Sequence, residues 1–299
     1  MSAPPNPAPL PVDHPAYLGL PASALPEALC AHLAQAPAVG VRVTHTQGSV
    51  PRGPGTWMGV FTDRVIGSIG GGHLELQAIA QARALLADPQ APLPSQKVAL
   101  GPSLGQCCGG VVHLAFERWA PEDIPTLVTR LQAGLPPVAL FGGGHVGHAL
   151  IRLLLSLPYA ITWVDSRDGI FPEGLPRRVR CERSEPVQDA VRDLAAGSEV
   201  LVMSFSHAED LDIVAACLKR QREQGDLPFI GLIGSRTKWA RFRQRLLARG
   251  FSEAELRWVT SPIGLPGIAG KEPEVIALAV AAQLLMRRSS GFSSPGSGT

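Results

Sequence analysis

Several features that would assign a protein to a class are missing from this 299-residue sequence. Its longest apolar run, residues 275–285, is interrupted by Gln283 and falls short of the roughly 20 residues that a membrane-spanning helix needs. The formal net charge is only +2, which argues against a general nucleic-acid-binding protein. The N-terminus is rich in proline rather than basic and then apolar, so we expect no secretory signal and no membrane partner.

Cysteine is scarce as well, and the few cysteines bear on both compartment and chemistry. All five together show no metal-finger spacing, and their number is odd, so we expect a cytoplasmic protein in a reducing environment. Cys107 and Cys108 are adjacent in a glycine-rich turn, where a relaxed disulfide does not fit because neighbouring Cα atoms lie only about 3.8 Å apart. The pair suits a soft metal, a sulfur atom or a redox event, but two small buried residues explain it equally well.

Proline and glycine divide the chain into four parts. We expect the proline-rich residues 1–22 and the Ser/Gly/Pro-rich residues 288–299 to be disordered tails. Between the tails, residues 23–134 predict a small mixed α/β domain. Residues 135–287 alternate between strand-like and helix-like segments more regularly, which is typical of a parallel sheet with helices on both faces. The sequence therefore predicts an α/β protein whose C-terminal domain is doubly wound and Rossmann-like.

The sharpest local pattern is a GxGxxG sequence that follows a predicted strand and opens a predicted helix. Its glycines are Gly142, Gly144 and Gly147, and Asp165 ends the next predicted strand about 20 residues further on. In dinucleotide-binding folds such a turn holds a pyrophosphate at the helix N-terminus, while the carboxylate holds the ribose hydroxyls. The alternative is that the glycines only allow the helix to pack closely on the strand.

A second run of glycines precedes a predicted helix in the first domain. Gly70, Gly71 and Gly72 offer free N–H groups, which form an anion-binding nest in one interpretation and a plain turn in the other. His73 follows them and is either a donor to the anion or an ordinary surface residue.

Two further turns follow predicted strands of the second domain, at the edge where open α/β sheets bind their ligands. His207 is a candidate donor or acid–base group, and Asp210 is expected to cap the helix that begins there. Arg236 and Lys238, in the other turn, are candidates for gripping a phosphate.

Taken together, the motifs resemble those of the XdhC/CoxI family and run in the family's order from about residue 40 to 285. The matching segments are residues 48–52 (GSVPR), 67–75 (GSIGGGHLE), 101–110 (GPSLGQCCGG), 141–147 (FGGGHVG), 206–207 (SH), 231–236 (GLIGSR) and 262–267 (PIGLPG). Some family members carry Cys where this chain has His73, so a thiol ligand at that position is excluded here.

The resemblance implies an accessory chaperone rather than an enzyme, with residues 23–134 as the family's N-terminal domain. Such proteins bind the molybdenum cofactor in its molybdopterin form, protect it while a cysteine desulfurase supports its sulfuration, and deliver it to apo-xanthine dehydrogenase of purine catabolism. We expect a homodimer. The cofactor-binding residues implied are Gly70, Gly71, Gly72, His73, Gln106, Cys107, Cys108, Gly142, Gly144, Gly147, Asp165, His207 and Arg236, with Cys107 and Cys108 as ligands of molybdenum or carriers of persulfide.

Three other interpretations compete with this one. The main alternative is an NAD(P)-dependent oxidoreductase that uses the GxGxxG turn and Asp165 for a nucleotide, although only His207 offers itself for proton transfer. A persulfide or redox carrier explains Cys107 and Cys108 but gives neither glycine turn a purpose. An interaction module without a ligand leaves all three glycine-rich turns unexplained. Stoichiometric molybdenum in the purified protein favours the chaperone, and a bound nicotinamide dinucleotide favours the oxidoreductase.

Overall fold

The structure, a computed structural model, describes residues 24–100, 109–132 and 134–289. The predicted tail 1–22 lies outside the described residues, and so does the turn that carries Gln106, Cys107 and Cys108. Of the predicted tail 288–299, the first two residues belong to the last helix, and the rest lies outside the described residues. Contacts divide the chain into two compact units, Met1–Leu131 and Gln132–Thr299.

The N-terminal unit is built on one antiparallel sheet in the order β3-β2-β1-β5-β4. Its elements are α1 (Leu25–Leu33), β1 (Ala38–Gln47), β2 (Trp57–Val60), β3 (Val65–Gly67), α2 (Gly72–Ala87), β4 (Ser95–Ala99), β5 (Val111–Trp119), a 3-10 turn (Pro121–Asp123) and α3 (Ile124–Gln132). The sequence pattern predicts strands at residues 39–43, 57–61, 65–69, 98–100 and 111–116, so the fourth is placed a few residues late, and it misses α3, whose second residue is Pro125.

Both faces of this sheet are covered, because its central strands alternate between two cores. Val39, Val41 and Val43 of β1 pack with the apolar face of α2. On the other face, Trp119 packs with Leu29 of α1. Two glycines are required on that face, since a Cβ at Gly40 would lie 2.0 Å from the Trp119 ring and one at Gly59 would lie 2.6 Å from Leu29.

The C-terminal unit is a six-stranded parallel sheet in the order β11-β10-β9-β6-β7-β8. Its elements are β6 (Pro137–Phe141), α4 (His145–Leu154), β7 (Ala160–Asp165), β8 (Val179–Arg183), a 3-10 helix (Val187–Asp193), β9 (Glu199–Val202), α5 (His207–Gln224), β10 (Phe229–Leu232), α6 (Arg236–Ala248), α7 (Glu253–Leu256), β11 (Val259–Thr260) and α8 (Pro273–Ser289). When the six strands of this unit are numbered 1 to 6 along the chain and the sheet is read from β8 to β11, their order is 3-2-1-4-5-6, which is the order of a Rossmann fold. The predicted fold class is confirmed.

Helices cover both faces of this sheet, as doubly wound folds require. Ala139 and Phe141 of β6 pack against the side of α5 and α6, where Val214 and Leu246 are buried. Val138 and Leu140, which alternate with them, pack against the side of α4 and α8. No helix among the described residues is long and apolar enough to cross a membrane.

Candidate functional site

The strand order reverses between β6 and β9, and the GxGxxG turn lies at this switch point. Two of its glycines are required by packing. Gly142 has a φ of 119°, and a Cβ there would lie 2.1 Å from the carbonyl oxygen of Met203. A Cβ at Gly147 would lie 2.3 Å from the carbonyl oxygen of Gly142, so this glycine lets α4 approach the end of β6.

Gly144 differs from both of these glycines because packing does not require it. A Cβ built there meets nothing within 4 Å, and its φ of −79° is open to any residue. Gly144 is the N-cap of α4, it is exposed, and no side chain caps the helix. The N–H groups of the first turn lack partners within the helix and lie at the positive end of the helix dipole. This is the geometry in which proteins bind phosphate.

Asp165 ends β7 as predicted, and it is only 2% exposed. Its Oδ1 accepts hydrogen bonds from the N–H (2.9 Å) and Nε (2.8 Å) of Arg167. Its Oδ2 accepts from the N–H of Gly143 (2.6 Å) and from Nη2 of Arg167 (2.8 Å). Burial acts to raise the pKa of Asp165, but the hydrogen bonds from Arg167 and Gly143 outweigh burial and hold this pKa below its usual range. Asp165 is therefore an anion whose lone pairs are already used within the chain.

Two contacts join the loop after β7 to the segment after β9. The guanidinium of Arg167 lies over the ring of Phe205, 4.9 Å from its centroid, and Phe205 is 62% exposed. Ser166 Oγ donates a hydrogen bond to Glu209 in the first turn of α5 at 2.7 Å. Side chains of the protein itself thus occupy the cleft between these two strand ends.

His207 and Arg236, both candidates from the sequence, are exposed at the first positions of α5 and α6. The ring of His207 makes an edge contact with Phe242, with centroids 6.4 Å apart. Both helices are capped by serine, since Ser206 accepts from the N–H of Ala208 and Ser235 accepts from the N–H of Lys238.

Asp210 does not cap its helix, contrary to the prediction. It is 1% exposed, and its Oδ1 accepts from the N–H and the Oγ of Ser204, both at 2.8 Å. Its Oδ2 lies 2.5 Å from Nζ of Lys238, which also donates to the carbonyl of Ile233 at 2.9 Å. Lys238 is therefore engaged in an ion pair that joins α6 to α5, which removes it from the candidates for phosphate binding.

The first glycine run, residues 70–72, is filled by the chain itself. Glu75, in α2, is 1% exposed, and its Oε2 accepts from Ser68 Oγ (2.6 Å), from the N–H of Ile69 (2.9 Å) and from the N–H of Gly71 (3.0 Å). The N–H of Gly70 donates to Ser68 at 3.1 Å. The predicted anion nest exists, but its anion is a carboxylate of the protein. His73 is exposed beside it.

The ends of the cysteine turn are anchored in the N-terminal unit. The N–H of Leu100 donates to the carbonyl of Gly110 at 2.8 Å, so the chain leaves and re-enters the sheet at one place. A Cβ at Gly110 would lie 2.3 Å from the carbonyl oxygen of Ser49, and one at Gly70 would lie 2.7 Å from the ring of Pro51. The segments that flank the cysteines and the first glycine run both contact the loop after β1.

Burial disfavours the thiolate form of two other cysteines, Cys217 and Cys181. Burial raises the pKa of Cys217 to about 12, which keeps this core thiol protonated. Burial also raises the pKa of Cys181, on β8. Within the described part of the chain, no three His, Cys, Asp or Glu side chains are grouped as metal ligands would be.

Sequence reasoning missed Glu75, Arg167 and Phe205. Glu75 belongs to a motif that the sequence singled out, but only the fold shows that it reaches back to the glycines. Arg167 had a signal in the sequence, since it is an arginine two residues after the predicted ribose-binding carboxylate.

Fold and glycine turn together define a protein with a small antiparallel α/β unit followed by a Rossmann domain. Two family models match the sequence of this chain: the XdhC and CoxI family over residues 31–93, and the XdhC Rossmann domain over residues 138–284. The chain belongs to the XdhC and CoxI family, which confirms the resemblance of its motifs.

The proteins matched below are similar to this chain at low sequence identity. The uncharacterized protein YqeB of Escherichia coli strain K12 is 23% identical over 247 residues, a match that covers 82% of this chain but 42% of YqeB, so the chain spans less than half the length of that relative. A crystal structure described as a xanthine dehydrogenase from Bacillus halodurans is 18% identical, with a TM-score of 0.68, and the match covers 91% of this chain and 98% of that one. ChuY of E. coli CFT073 gives a TM-score of only 0.31 at 16% identity, with 52% and 90% covered. The Bacillus structure shows a shared fold.

Proposed function

We propose that this protein is an accessory factor in the maturation of xanthine dehydrogenase. In this role it binds the molybdenum cofactor, holds it during sulfuration by a cysteine desulfurase, and delivers it to the apoenzyme. Membership of the XdhC and CoxI family supports the accessory role, and the description of the Bacillus protein that shares the fold is consistent with it. A homodimer is part of the proposal.

The observation that carries the proposal is the open N-terminus of α4. Molybdopterin ends in a phosphate, and an uncapped helix start behind an unobstructed glycine suits a phosphate because N–H groups and the helix dipole both favour the charge there. The glycine run at residues 70–72 is the weaker candidate, since Glu75 already uses its N–H groups. We therefore assign the phosphate to Gly144 and the first turn of α4.

Cys107 and Cys108, with Gln106 next to them in the sequence, are proposed to serve the molybdenum chemistry. When bound, the cofactor supplies a dithiolene-held molybdenum whose oxo ligand can be exchanged for sulfido. A thiolate is soft enough to contact such a metal or to carry a sulfane sulfur, whereas the carboxylates and imidazoles of the described residues are harder ligands. The Leu100–Gly110 hydrogen bond supports this role, because it fixes the base of the turn that carries both thiols.

The alternative, an NAD(P)-dependent oxidoreductase, is favoured by the Rossmann strand order and by the same glycine turn. It needs a carboxylate that is free to accept from ribose hydroxyls, and Asp165 already receives four hydrogen bonds within the chain. His207 is exposed, and its contact with Phe242 is an edge contact between rings, which transfers no proton. The accessory role is therefore the better supported of the two.

The test is to purify the protein from cells that make the cofactor, measure molybdenum per chain, and then mix the protein with apo-xanthine dehydrogenase. Near-stoichiometric molybdenum and recovered dehydrogenase activity are expected. Gly144→Ala should lower the amount of molybdenum bound per chain about tenfold, because the new methyl group would stand in the open space through which the phosphate approaches the backbone. Cys107→Ala and Cys108→Ala should impair cofactor retention or sulfuration and leave the fold intact.

Gly53→Ala is the matched control for Gly144→Ala, since a Cβ at Gly53 also meets nothing within 4 Å. It should bind molybdenum as the unmodified protein does. Bound nicotinamide dinucleotide in place of molybdenum would support the oxidoreductase instead. If both cysteine variants bind and deliver active cofactor normally, the thiols have no part in the function.

A further inference from the structure

A group of side chains lies at the ends of β7 and β9, next to the glycine turn. These side chains have no part in the phosphate site proposed at α4. In a dinucleotide-binding domain the carboxylate at the end of the second strand accepts hydrogen bonds from the ribose hydroxyls. Asp165 has that place in this sheet. A carboxylate offers about four lone-pair sites, and Gly143 and Arg167 donate four hydrogen bonds to it. A ribose could therefore bind Asp165 only by displacing Arg167.

Arg167 is difficult to displace because it is held in three ways. Its backbone N–H and its guanidinium both bind Asp165, and the two guanidinium contacts at 2.8 Å form a fork across the two oxygens. The same guanidinium lies 4.9 Å from the ring centroid of Phe205, on the far side of the cleft. Displacing Arg167 would leave an unpaired carboxylate at a position that is 2% exposed.

The neighbouring residue closes the same cleft. Ser166 Oγ donates to Glu209 at 2.7 Å, which links the loop after β7 directly to the first turn of α5. Two bridges thus cross the space between these strand ends, while the space at Gly144 stays open. One half of the usual dinucleotide site is closed, and the other half is accessible.

We propose that Arg167 is a specificity-determining residue that excludes ribose diols, so that the cleft accepts a phosphomonoester and rejects a dinucleotide. The ligand class rests on the function proposed above, because both use the phosphate site at α4. The exclusion itself depends only on the contacts of Asp165, and it holds for any phosphate ligand of this cleft.

The test compares two probes that differ only in the diol, ADP and 2′,3′-dideoxy-ADP. Their dissociation constants are measured on the full chain by calorimetry at one salt concentration. The unmodified protein should bind both probes equally, with a ratio of dissociation constants near one. Arg167→Ala frees both oxygens of Asp165 from the guanidinium, and it should favour ADP over the dideoxy probe by about tenfold, as expected for a hydrogen bond to a charged group.

A second variant covers the case in which Arg167→Ala does not fold. Arg167→Lys keeps the positive charge but not the fork, so it leaves acceptor capacity on Asp165 and should shift the ratio in the same direction. Arg183→Ala is the matched control. Arg183 ends β8 and pairs with Asp168 and Glu185 rather than with Asp165. Its substitution removes the same charge, and the ratio of the two dissociation constants should stay near one.

A preference for ADP of tenfold or more in the unmodified protein would overturn the inference. The same conclusion follows if neither folded Arg167 variant shifts the ratio, or if these variants bind neither probe. Failure of the proposed function looks different. If the unmodified protein binds neither probe nor molybdopterin, while Arg167→Ala gains a preference for ADP, the phosphate site is refuted and the role of Arg167 stands.

Discussion

Two glycine-rich turns of this protein, residues 70–72 and 142–147, look alike in sequence and differ in which of their N–H groups are left free. Each follows a strand, opens a helix and donates one N–H group to a buried carboxylate, from Gly71 to Glu75 and from Gly143 to Asp165. Glu75 comes from the helix that its own turn opens, and it also takes the N–H of Ile69. Asp165 comes from the next strand and leaves the first turn of α4 unused. A glycine run therefore identifies a possible anion site, and the position of the nearest carboxylate decides whether that site is open.

The largest loss of stability is expected at the first turn, where the carboxylate of Glu75 occupies the anion-binding position. Glu75→Ala leaves the buried N–H of Ile69 and the partly buried N–H of Gly71 without an acceptor, and we expect it to lower the free energy of unfolding of the N-terminal unit by roughly 2–5 kcal/mol. Hydrogen exchange, followed separately for peptides of the two units, measures this loss. Gln77→Ala, exposed on the same helix, is the control. An unchanged exchange rate around Gly71 would show that the carboxylate is not what holds the turn.

The next largest effect tests which glycines of the second turn are required by packing. Gly147→Ala places a Cβ 2.3 Å from the backbone of Gly142, so α4 must shift away from β6. We expect a loss of about 1–3 kcal/mol in the C-terminal unit, as overpacking usually costs, measured by denaturant unfolding. A variant as stable as the unmodified protein would mean that the helix moves without cost.

Gly144→Ala should separate binding from stability. Its Cβ meets no atom within 4 Å, so the cost to folding should stay below about 1 kcal/mol, which is the difference between glycine and alanine at an N-cap. Phosphate binding should nevertheless weaken about tenfold, because the new methyl group stands where the ligand approaches the backbone. Calorimetric titration with inorganic phosphate, combined with thermal unfolding, measures both quantities. Unchanged phosphate affinity would move the anion site away from this turn.

The smallest expected effect is a partial recovery of stability when phosphate binds to the first turn of the Glu75→Ala variant. In Glu75→Ala the N–H groups at Ile69 and Gly71 face an empty nest, and added phosphate should bind there and restore part of the lost stability. At ten times its dissociation constant a ligand contributes about 1.4 kcal/mol, so a partial recovery of the unfolding midpoint is expected. Chloride at equal ionic strength is the control. Equal responses to both salts would show that the emptied turn has no site for phosphate.

The local sequence pattern was enough to predict the Rossmann fold, because a strand, a glycine turn and a helix follow one another along the chain around Gly144. It was not enough for β8 and the 3-10 helix that follows it, since only Val179 of that edge strand is buried and its other residues lack an apolar run. The sequence also did not predict which of the two glycine turns is open to an anion. Whether Glu75 reaches back to Gly71, or Arg167 covers Asp165, depends on the distances between side chains that the fold sets. Asp210 illustrates the same limit, because its partner Lys238 is on another helix.

The division at Leu131 and Gln132 has a consequence for how this protein can be rearranged. Every strand pairs within its own unit, and each unit is one uninterrupted stretch of chain. A break or an insertion at residues 132–136 would cut a single covalent connection and no sheet. Gene fusion, fission and domain exchange can therefore act at this position without dividing either sheet.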